Sequence, residues 1–76
     1  MPVPPILDAN LVARRVRVAP TDVVYLKGIV EASEGLAVVF AESGGELVLA
    51  TMPEQLEALD ELLRDLQEEI GAMVEA

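Results

Sequence analysis

Seven carboxylates run through residues 54–69: Glu54, Glu57, Asp60, Glu61, Asp65, Glu68 and Glu69, with Arg64 the one base among them. Paired carboxylates can exchange protons with a substrate or hold a divalent cation. These fall on the polar side of a helical repeat, where charge keeps a surface solvated. No Asp-x-Asp-x-Asp-Gly calcium loop is present. There is no His and no Cys, so the usual general base, the thiolate nucleophile and the common zinc ligands are missing together. Ser33 and Ser43 have no base to activate them. Gly44-Gly45 belongs to no GxxxxGK[ST] or GxGxxG phosphate loop. We expect no catalytic, cofactor-binding or metal-binding residues and no enzyme activity.

The positive charge is more suggestive. Arg14, Arg15 and Arg17 supply three of the five bases on one strand. They protect an edge, or they pair with the acidic helix of a second subunit or with an anionic ligand, since Arg suits bidentate carboxylate contacts. Four further residues are candidate contacts for a ligand or partner. Asp22 sits where a helix begins. Tyr25 is the lone tyrosine, one residue off an apolar stripe, with its ring on the core rim. Glu31 and Glu34 fall late in that helix, where the dipole disfavours negative charge, so pairing with Arg or Lys27 is the simplest reason for them.

These residues must be positioned by a single domain, because the chain has 76 residues. Its core is thin: a domain this size buries only about 60% of its unfolded surface. Without cysteine or histidine, oligomerisation is the expected extra support. The net charge of −9 opposes nucleic-acid phosphates and anionic membranes. The start "MPVPPILDANL" has no basic n-region and no long apolar h-region, so we expect no signal peptide and a cytoplasmic protein. The 53% apolar content argues against disorder.

Residues 1–10, with three prolines, read as an extended arm that could dock through Val3, Ile6 and Leu7. Residues 11–76 read as one α+β domain. "LVARRVRVA" (11–19) alternates Val12, Val16 and Val18 against Arg15 and Arg17, a strand. Arg14 falls on the apolar parity, so its head should reach water near the strand end. "PTD" then breaks the strand, with Thr21 or Asp22 as a helix cap. Val23, Leu26, Ile29 and Val30 mark a helix over 22–33. Gly28 inside it suggests close approach to the sheet, and Gly35 ends it. "LAVVFA" and "LVLAT" are strands joined by the turn "ESGGE". Thr51 and Glu54 have capping-box spacing for a last helix over 54–75. Its Leu59, Leu63, Leu66, Ile70 and Met73 continue a heptad seam from Leu56. At 1.5 Å per residue it would be about 33 Å long, longer than the sheet. Gly71 offers an earlier end, leaving 72–75 as a tail or a fourth strand.

The order β-α-β-β-α predicts an antiparallel three-stranded sheet with two helices on one face, a half-open sandwich of the ferredoxin-like kind without its last strand. The 11–19 strand is then an exposed edge. "VRVAPTDVVYLKGIVEASEGLAVV" resembles the signature of a small uncharacterised bacterial family known as a domain of unknown function. The matching residues are Pro20, Asp22, Tyr25, Leu26, Lys27, Glu31, Glu34, Gly35, Leu36 and Ala37, and the resemblance covers about 14–68. It implies no activity. More distantly, the layout resembles ACT-type regulatory domains, which sense amino acids at interfaces between paired domains. Their glycine-bearing turn before the first helix reads "APTDVV" here.

The expected function is therefore a self-associating protein-interaction or scaffold module. A homodimer would use Arg14, Arg15 and Arg17 on the first strand, or the Leu59–Met73 seam. A further protein could bind the N-terminal arm or the acidic helix. The alternative is an amino-acid-sensing domain with its site at a dimer interface near Asp22 and Val23.

Overall fold

Alternation builds the first strand. The computed structural model describes residues 11–75, and the N-terminal arm with Val3, Ile6 and Leu7 lies outside them. β1 (Val12–Arg17) turns Val16 into the core and leaves Arg15 and Arg17 exposed on the opposite face. α1 (Val23–Ala32) follows, then β2 (Val38–Ala41), β3 (Glu46–Thr51), α2 (Leu56–Ile70) and β4 (Met73–Val74). All pairings are antiparallel, in the order β2-β3-β1-β4.

The sheet thus has four strands where three were expected. Gly71 accounts for the fourth. It takes the left-handed conformation at φ 69° and stops α2 at Ile70, a geometry nearly free of steric cost only for glycine. The chain then drops beside β1, pairing Val16 with Val74 and Arg17 with Met73. The Glu75 amide adds a bond to the Arg15 carbonyl at 2.9 Å. The expectation that β1 is an edge is therefore corrected: β3 flanks it on one side, and β4 covers its Arg15–Arg17 end on the other.

Both helices lie on one face. Val16, Val18, Leu47 and Leu49 of the sheet pack in one cluster with Leu26 and Val30 of α1 and Leu59, Leu63 and Leu66 of α2. Each such side chain contributes on the order of 1.5–3 kcal/mol by leaving water. This also corrects the heptad seam. Leu59, Leu63 and Leu66 are fully buried within one chain, so they have no surface left for a partner. The reason is length: α2 has 15 residues, about 22 Å, which matches strands of about 17–20 Å and leaves no overhang. Ile70 is half-buried, and Met73 is exposed on β4.

The helix starts differ from the capping readings. Pro20–Asp22 and Pro53–Gln55 each form one 3-10 turn feeding α1 and α2, with no side-chain cap. Backbone bonds close them, Asp22 to the Ala19 carbonyl and Gln55 to that of Met52, both at 2.8 Å. Pro suits such a first position because its missing N–H would have no partner there anyway. Thr51 instead donates its hydroxyl to the Leu36 carbonyl at 2.6 Å, in the core. Gly28 also departs from expectation: it is exposed, and a β-carbon there would meet open space.

Candidate interaction surface

No helix covers the other face of the sheet, and the register sets what lies on it. Across one row stand Val38, Ala50 and Ala13; across the next, Phe40, Val48 and Arg15. A third row holds Glu46, Arg17 and Met73. The bare face of an antiparallel sheet is ordinarily polar. Here Val38 is 47% exposed, Phe40 41% and Met73 66%. Apolar groups gathered on one face, bordered by charge, mark a contact surface more than scattered single residues do.

The border carries two ion pairs and the carboxylate of Glu75, which lies opposite Arg15. Arg15 Nη1 donates to Glu42 Oε1 at 2.6 Å, reaching from β1 across β3 to the end of β2. Arg17 Nη2 donates to Glu46 Oε2 at 3.2 Å on the adjoining strand. The Glu42 hydrogen bond, then its charge, raise the Arg15 pKa above its ordinary value. With these pairs made, Glu75 is the one carboxylate of this face outside an ion pair among the described residues, so the face carries little of the chain's charge of −9.

Arg14 points the other way. It lies between the sheet and α2, where Nε and Nη2 grip Asp60 Oδ1 and Oδ2 at 3.1 and 3.3 Å. Its head was expected to run out to water. Instead it bolts β1 to α2 with a two-pronged bond. All three arginines therefore have carboxylate partners within the chain.

The four candidate contacts Asp22, Tyr25, Glu31 and Glu34 do not form one site: only Tyr25 and Glu31 lie in α1, with Asp22 before it and Glu34 in the turn after it. Asp22 ends the 3-10 turn without a side-chain cap bond. Tyr25 is exposed, and its hydroxyl donates to Glu69 Oε1 at 3.3 Å, linking α1 to α2. The nearby Glu69 charge chiefly raises the Tyr25 pKa, with burial and the hydrogen bond adding to it. Glu31 and Glu34 are exposed, and among the described residues neither pairs with Lys27 or an arginine.

A recess lies at each end of the β2–β3 hairpin. One of about 490 Å³ is lined by Leu11, Leu36, Ala37, Val38, Ala50 and Met52, with Thr51 and Gly35, and no charged side chain. The other, of about 360 Å³, lies between Pro20, Val23 and Val24 and the hairpin from Ala41 to Leu47. Sequence reasoning passed over the bare-face residues Ala13, Val38, Phe40, Val48 and Ala50. The signal was "LAVVFA": a continuous apolar run in a strand with a helix on only one side must leave every second residue uncovered.

Fold and surface together define a small α+β domain with a sheet face of apolar groups bordered by mostly paired charges, and an acidic helical layer. The chain belongs to the family Domain of unknown function (DUF4911), whose model matches residues 16–70. No curated protein and no solved structure matches the chain. Among the described residues, no helix is long and apolar enough to cross a membrane.

Proposed function

We propose that this is a non-enzymatic, self-associating interaction module of ferredoxin-like fold, acting in the cytoplasm. The strand order β2-β3-β1-β4, with helices after β1 and β3, supports the fold reading. The observation that carries the function is the bare sheet face, with Val38, Phe40 and Met73 exposed around Val48.

A second copy is the occupant that charge favours. The helical layer is acidic, since α2 carries Glu57, Asp60, Glu61, Asp65, Glu68 and Glu69 against Arg64. Two copies meeting there would repel. Sheet face to sheet face, each copy offers apolar rows and two internal ion pairs, with Glu75 the one carboxylate left over. Across a two-fold axis, Arg15 and Arg17 of one copy can also exchange toward Glu42 and Glu46 of the other.

Sedimentation tests this with Val48→Glu, which places a charge at the centre of the face without touching the core. The wild type should exceed the 8.1 kDa chain mass, and the variant should lose the face contact. A wild type that stays a single chain at every concentration refutes the proposal.

The recess beside the Pro20–Asp22 turn supports a second reading, an amino-acid-sensing regulatory domain, because Glu42 and Glu46 on its lining could meet an ammonium group. A clear rise in melting temperature with one amino acid in a thermal-shift screen would favour it over the scaffold.

A further inference from the structure

We infer that β2 forms a second, independent contact, pairing edge to edge with β2 of another copy to make one continuous eight-stranded sheet. The hydrogen-bond phase of the hairpin carries this. The Glu42 amide donates to the Glu46 carbonyl at 2.8 Å. Antiparallel pairs alternate between bonded and non-bonded, so Phe40–Val48 and Val38–Ala50 are the bonded pairs of this ladder. Val39 and Ala41 then turn their N–H and C=O groups to the outside. β2 is the end strand of the sheet, and among the described residues nothing pairs with that side.

Natural edges are blunted by lysine, proline, a bulge or shortness. β4, at the other end, is two residues long. β2 is twice as long, Val-Val-Phe-Ala, and carries no lysine, proline or bulge.

The strand is complementary to itself. Setting Val39 against Val39 of a second copy keeps every side chain on its own face. Val38 then lies opposite Phe40 of the other copy, twice, on the bare face, an aromatic–β-branched pairing that favours the ladder. No charge opposes approach, because β2 carries none and Glu42 is held by Arg15 at 2.6 Å. The two bare faces end up on the same side of the doubled sheet, with Val38 and Phe40 of both copies at its centre. The edge contact stands without the face contact proposed above. With both, two doubled sheets stack into a closed assembly of four chains.

Amide hydrogen exchange reads the edge directly. In a lone chain the Val39 and Ala41 amides face water and exchange fast, while Val38 and Phe40 are held by β3. Edge pairing should slow Val39 and Ala41 by at least about tenfold in concentrated over dilute protein, or at both concentrations if the multimer persists on dilution. Fast exchange of both in concentrated protein overturns the inference. So does slow exchange in a single chain that speeds up when residues 2–10 are deleted, since the chain's own N-terminus would then cover the edge.

Masses separate the two contacts. Ala41→Pro removes an outward N–H that β3 does not use. The wild type should sediment as four chains, Ala41→Pro and Val48→Glu as two each, and the double variant as one. A mass unchanged by Ala41→Pro sinks the edge contact and leaves the face contact standing. A mass unchanged by Val48→Glu does the reverse.

Discussion

Val18 and Gly45 are in backbone contact. The Val18 amide donates to the Gly45 carbonyl at 2.9 Å, and the Val18 carbonyl oxygen occupies the space where a side chain on Gly45 would project. This contact extends the β1–β3 ladder one step past Arg17–Glu46 and seats the hairpin against the 19–22 turn. Gly45→Ala forces the two backbones apart and should cost about 2–3 kcal/mol, at the upper end of the range for overpacking and strain. Gly44→Ala meets open space but a φ of 64° and should cost only about 1 kcal/mol. Paired urea titrations check the ranking; equal losses would refute it.

Gly28 predicts the opposite sign. Its exposed, unobstructed position in α1 lets alanine fit without strain and reduces the freedom of the unfolded chain. Gly28→Ala should stabilise by about 0.5–1 kcal/mol. Thermal melts should show a rise of about 3–6 °C; a fall would mean that the residue has a packing role.

Thr51 holds a buried carbonyl. Its hydroxyl donates to Leu36 at 2.6 Å, and Thr51 is 2% exposed. Thr51→Val keeps the shape and leaves the Leu36 carbonyl without its donor. The expected cost is about 1–3 kcal/mol, read as a lower denaturant midpoint with an unchanged slope. Thr51→Ser should recover most of it.

Tyr25 reports on the α1–α2 contact optically, being the sole tyrosine. Its phenol should ionise above the ordinary 10.0, and Glu69→Gln should bring it down. The folded pKa is raised above the unfolded one. The contribution to stability is therefore fully present below about pH 10 and is lost as pH rises through the folded value. Absorbance titration at alkaline pH checks this, with Glu69→Gln flattening the alkaline loss.

How much of this was legible in the sequence differs by element. β1 was plain, because Val16 and Val18 alternate with Arg15 and Arg17. The α2 stripe correctly named Leu59, Leu63 and Leu66 as apolar seam, but a stripe does not say whether it faces its own sheet or another chain. That turned on where the helix stops, and Gly71 settles it. β4 could not be read from alternation, because two residues have no period. Gly28 could have been placed better: it lies two residues, about 200°, from Leu26 on a helical wheel, on the side away from the core. Arg14 shows the limit of parity. Its position put it toward the helices, but only the packing of α2 supplies Asp60. Phe40 reads as strand from "LAVVFA" alone, yet its exposure depends on the register with Val48.

With the Arg15–Glu42 and Arg17–Glu46 pairs made, one side of the molecule keeps only Glu75 outside an ion pair among the described residues and is electrically quiet beside the other, which is dense with carboxylates. Each copy is therefore a lopsided anion with an electric moment running from helices to sheet. On the self-association proposed above, repulsion between the acidic layers would turn approaching copies sheet side to sheet side, and dissolved salt, by screening the remaining charge, should strengthen their union rather than weaken it.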